Sequence, residues 1–219
     1  MLSAVAKAVA GIADPSLRRI LWRSLGLTLL LYVALYAACW WLLASTRLAE
    51  TVWVEWLLDV FGGLAVFAAT LLLFPAAVTV VVGFFLEEVA AVVERRHYPD
   101  LPPARAAPLS ETVGGAARFA AVAVVLNLLA LPLYFLPGTY YVVNGYLLGR
   151  EYFEMAAARR LPAPEMRALR REELGRLWLA GAGITVLLSV PVLNLAAPII
   201  ATAFMIHVFE ALRRRRGNV

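Results

Sequence analysis

From Ile20 to Leu43 the chain reads ILWRSLGLTLLLYVALYAACWWLL, with Arg23 as its only charged side chain. A helix of that length, at ~1.5 Å per residue, covers the ~30 Å hydrocarbon core of a bilayer. Few folds accommodate such a run. In lipid a helix satisfies every backbone group internally, so a spanning helix is the direct solution. Trp40 and Trp41 stand near its far end, where interfacial aromatic residues belong. Composition agrees: 63% of the residues are hydrophobic and 16% charged, against about half and a quarter in soluble domains. The sequence predicts an all-α integral membrane protein, one membrane domain over residues 1–219.

A second long span is expected at about 60–85, after a linker at 44–59. Its helical pattern runs on into water over 86–97, followed by the proline-rich loop PDLPPARAAPLSE. Two further apolar regions, 119–149 and 177–209, are broken in the middle. The breaks are Pro132 and Pro137-Gly138 in the first, and Pro191 and Pro198, with Asn194 between them, in the second. The limb after Pro137-Gly138 holds about eleven apolar residues, too few to cross untilted. Both regions are therefore expected to be re-entrant hairpins, with tips at Pro137, Gly138 and Thr139 and at Asn194 and Pro198. Each ends in a basic amphipathic helix, at 150–176 and 210–216. FEMAAARR (153–160) and FEALRRRR (209–216) share Phe-Glu and a later Arg-Arg at one spacing, so the regions read as a repeat.

Sidedness follows from the cations. Of the 20 Lys and Arg residues, only Arg47 lies in the 44–59 linker; the others precede residue 24 or follow residue 94. The positive-inside rule puts both termini and the mouths of both hairpins in the cytoplasm of a multi-pass protein. The basic excess is then a topology signal and a lipid-headgroup contact, with no nucleic-acid role. Within the hairpin, Gly145 and Gly149 form a small-xxx-small face and, with Asn144, are expected to serve helix packing. Walker, dinucleotide, nucleophile-elbow and HExxH motifs are missing, so neither an enzyme nor a cofactor is expected. Cys39 is the lone cysteine, and neither His97 nor His207 has a ligand neighbour at metal-site spacing.

DPSLRRILWRS (14–24), YFLPGTYYVVNGYLLGREYFEMAAARRLPAPEMRALRR (134–171) and VPVLNLAAPIIATAFMIH (190–207) together resemble the CysZ sulfate-permease family. That family is grouped with the eukaryotic etoposide-induced membrane proteins. The resemblance implies a bacterial inner-membrane channel or permease for sulfate, serving cysteine synthesis and working as a homo-oligomer. It also implies sulfate binding at a Leu-Arg element before the first span, which maps onto Leu17 and Arg18, with Ser16 where a glycine is usual. An anion crossing a membrane needs its charge compensated by arginines at the mouth or by helix N-termini pointing inward. Arg18, Arg19 and Arg118 are the candidates for the former, and the half-helix starting at Thr139 for the latter. The bland reading makes these arginines ordinary positive-inside anchors. A rival function from another class is a non-transporting scaffold that binds anionic lipid, or a partner, through its basic amphipathic helices.

Overall fold

A computed structural model of the chain describes residues 4, 6, 7, 14–45, 62–64, 85–136, 138–190, 194 and 196–217. Every regular element among them is helical. Helix α1 is Pro15–Ser45, α2 covers 85–97, and α3 is Leu109–Ala130. Then come α4 (Thr139–Ala158), α5 (Ala163–Glu172), α6 (Leu174–Leu188) and α7 (Ala197–Arg215). The chain divides into two compact units, Arg18–Glu88 in one and Met1–Leu17 with Val89–Val219 in the other. Most of the expected span at 60–85, most of the linker and Pro137 lie outside the described residues.

Local chemistry starts α1. Asp14 Oδ1 accepts the Ser16 N–H at 2.7 Å, and Pro15 follows with its φ already suited to a first helical turn. Pro15–Ala38 and Ser110–Leu133 are both long and apolar enough to cross a membrane, with mean hydropathies of 1.6 and 2.0. A core helix of a soluble protein would satisfy the same length test but would be mostly covered. Here only 6% of each span is buried. Leu29, Leu30 and Trp40 on α1, and Val124, Leu128 and Leu129 on α3, present their side chains outward. Neither span packs as core.

In the larger unit the core is α4 against α6 and α7. Along α4, Gly145 and Gly149 meet Ala182, Leu177 and Gly181 of α6 backbone to backbone. A Cβ at Gly181 would stand 1.9 Å from the Gly145 carbonyl oxygen, and one at Gly149 would stand 2.2 Å from that of Leu177. Only glycine permits this approach. Helix α7 is buried on all sides from Ile199 to Glu210, as a helix apolar all round should be. Phe153 and Phe209, the equivalent positions of the sequence repeat, stack edge to face at 6.1 Å between centroids. Both are fully buried, and each stabilises the core by about 1.5–3 kcal/mol.

Between α3 and α4 the chain turns through a 3₁₀ segment, Leu131–Leu133. Gly138 sits at φ 100°, the left-handed region that favours glycine, and α4 begins one residue later. Thr139 closes the turn: its hydroxyl donates to the Leu133 carbonyl at 2.8 Å and its N–H to that of Leu136 at 3.3 Å. Tyr134 donates to Asn127 Oδ1 at 2.8 Å, tying the turn back to α3. These bonds tie the described part of the tip together. Helix α4 passes Arg150 without a break, so the hairpin limb and the start of the expected cytoplasmic helix are one element. The rest of 150–176 comprises α5 and the start of α6, joined at Glu173.

Candidate anion-binding cleft

A cleft of about 190 Å³ opens between the first turns of α3, the middle of α4 and one face of α5. Ser110, Gly114, Gly115 and Arg118 line it from α3, Arg150 and Glu154 from α4, and Met166, Arg167 and Arg170 from α5. Each helix places its cation for a local reason. Arg118 lies two turns after the start of α3 at Leu109, on the same side as Gly114 and Gly115, whose missing side chains leave the wall open. Arg150 and Glu154 are one helical turn apart on α4. Arg167 and Arg170 are three apart on α5, which a short turn at 159–162 folds back beside α4.

The carboxylates of this cleft are already engaged. Glu154 Oε1 accepts from Arg150 Nε at 2.8 Å and from Arg170 at 3.0 Å, so two guanidinium groups share one oxygen. Arg105, four residues before α3, donates to Glu111 Oε2 at 2.7 Å, and its other terminal nitrogen is buried with no hydrogen-bond partner among the described residues. Arg150 is 4% exposed and rests over the Phe119 ring at 5.7 Å. Burial pushes the Arg170 pKa below its ordinary value; Glu154 opposes this and Arg150 adds to it. An arginine keeps its charge regardless. Four guanidinium groups therefore line a cleft whose two carboxylates are already engaged, and an added oxyanion would relieve their repulsion with charge-assisted hydrogen bonds.

The sequence-derived candidates lie at several places in the fold. Arg118 joins the cleft; Arg18 and Arg19 are exposed on α1 in the other unit. Leu17 is 5% exposed and packs as core of the larger unit. The Ser16 N–H, beside the Leu-Arg element, is taken by Asp14, which also pairs with Arg96. Thr139 spends its hydroxyl and N–H on the tip, and Pro198 lies in the first turn of α7, where its carbonyl accepts from Thr202 at 2.8 Å. Asn194 is exposed. Asn144, expected to serve helix packing, donates its amide to the Tyr140 carbonyl of its own helix at 2.9 Å. A polar side chain on an apolar helix reaches the carbonyl four residues back when no other acceptor is closer. Arg150, Arg167 and Arg170 went unnamed as site residues, although the Arg-x-x-x-Glu spacing at 150–154 and the Arg-x-x-Arg spacing at 167–170 were available signals.

Among the described residues every regular element is helical, and two exposed apolar helices are long enough to cross a membrane. Residues 4–198 match the family described as sulfate transporter CysZ/etoposide-induced protein 2.4, and the chain belongs to that family. No curated protein matches it.

Proposed function

We propose that the chain passes sulfate, or a related small oxyanion, across a bacterial inner membrane as a homo-oligomeric channel or secondary permease. Both termini face the cytoplasm, and the arginine cleft collects the ion at the cytoplasmic mouth of the first hairpin. One observation carries this reading: Arg118, Arg150, Arg167 and Arg170 converge from three helices on one open cleft whose two carboxylates are already paired. Membership of a family described as sulfate transporters supports the choice of ion. The hairpin is re-entrant in this account. From Thr139 to Gly149 α4 rises only ~16 Å before the buried charge of Arg150, about half the hydrocarbon thickness. The hydrogen bonds that Tyr134 and Thr139 make at the tip suit that depth.

Sulfate binding to the detergent-solubilised chain, followed by calorimetry, tests the cleft. Arg118→Gln and Arg167→Gln should each weaken sulfate roughly tenfold, the worth of one charge-assisted hydrogen bond. Arg95→Gln, an exposed arginine that does not line the cleft, should leave binding unchanged. Equal affinity in all three variants would count against the cleft.

A further inference from the structure

A second cationic groove, unused by the proposed pathway, has a volume of about 460 Å³ and lies between Lys7, Tyr98, Arg176 and the basic end of α7. Among the described residues its lining carries Lys7, Arg176, Arg214 and Arg215 and no carboxylate. Arg214 rests over the Tyr98 ring at 5.2 Å, and the Tyr98 hydroxyl shares a 2.8 Å hydrogen bond with His207 Nδ1. The aromatic wall is therefore held in place from both sides. No ion pair involves Lys7 or Arg215 among the described residues. Arg176 pairs with Glu173 at 2.6 Å, but half of its side chain is exposed, and such a pair is weak and readily exchanged.

What distinguishes this groove from a site for a soluble anion is its continuation. Arg176 opens a row on α6, and Leu179, Gly183 and Val186 follow at helical spacings of three, four and three residues. All four are exposed, and nothing lies within 4 Å of where a Gly183 Cβ would stand. One face thus begins with a guanidinium in a cationic groove and runs on as bare apolar surface. Charge at one end and a hydrocarbon track from it match a single amphiphile.

We propose that this groove binds the phosphodiester headgroup of an anionic phospholipid from the cytoplasmic leaflet, with an acyl chain lying along Leu179, Gly183 and Val186. The basic end of α7 places the headgroup at the leaflet surface, where each arginine or lysine adds attraction to anionic lipid. The purified full chain in mild detergent, titrated with phosphatidylglycerol and followed by its thermal unfolding midpoint, tests this. The midpoint should rise with phosphatidylglycerol and far less with phosphatidylcholine. Arg176→Gln with Arg215→Gln should keep the lipid-free midpoint, since both side chains are exposed, and weaken phosphatidylglycerol at least tenfold. If that pair fails to fold, Lys7→Gln, also exposed, should give a smaller loss in the same direction. Leu179→Ser with Val186→Ser should weaken the lipid but leave any binding of soluble glycerol phosphate unchanged. Equal response to the two lipids, full displacement by millimolar glycerol phosphate, or no effect of the folded variants would each overturn the proposal.

Discussion

At the scale of single residues, two positions make sharp claims. Gly181 lets α6 sit against α4 so closely that any Cβ must displace backbone, not a flexible side chain. Gly181→Ala should therefore destabilise by about 1–3 kcal/mol or more. Gly183→Ala, two residues away with nothing near it, should be neutral or stabilise by up to ~1 kcal/mol through helix propensity. Unfolding midpoints in detergent compare the two directly, and equal effects would contradict the close crossing. Glu210 makes the second claim. It is 1% exposed; Oε2 accepts from Arg213 at 2.9 Å, and Oε1 has no hydrogen-bond partner among the described residues. Burial raises its pKa above 4.5, with Arg213 pulling the other way. A carboxyl group whose folded pKa is raised holds its proton more tightly when folded. Its stabilising contribution is complete below the unfolded value and is lost as pH rises through the folded one. Glu210→Gln removes that loss, so the variant should gain on the natural chain as pH rises from 4 to 8. A stability difference independent of pH would show that the Glu210 titration does not matter.

At the scale of elements, the first hairpin decides the topology. Gly138 at φ 100° makes a poor labelling site, because a side chain there would strain the turn. Phe135, 79% exposed at the tip, is the better one. With Cys39 replaced by serine, a cysteine at 135 should resist a membrane-impermeant thiol reagent added from the periplasmic side. Labelling from that side would mean that the tip crosses. What could be read from the sequence at this scale is what local chemistry determines. The start of α1 at Asp14-Pro15 needs only a cap and a proline, and the break at Pro137-Gly138 needs only glycine's freedom at positive φ. The spacing of Gly145 and Gly149 announces a packing face, but its partner Gly181 lies in another helix and no local rule identifies it. The cleft hides for the same reason. Arg150 and Glu154 are neighbours by helical spacing, whereas Arg170 reaches Glu154 only because the turn at 159–162 folds α5 back. The acceptor of the Asn144 amide, by contrast, lies one turn back on its own helix.

At the scale of the whole molecule, the account joins exposed apolar helices long enough to cross a membrane to a cation-lined cleft whose acids are already spent. The repeat sharpens the contrast. Phe153 and Phe209 meet in the core, yet the glutamates that follow them differ: Glu154 gathers two arginines around an open cleft, and Glu210 is sealed inside. Only the first half of the repeat is built to receive an anion in this reading. The most direct measurement is flux of labelled sulfate into liposomes holding the purified chain. The account predicts uptake above empty liposomes, reduced several-fold by Arg118→Gln with Arg167→Gln in protein that remains folded. Folded natural protein giving no more flux than empty liposomes would contradict it.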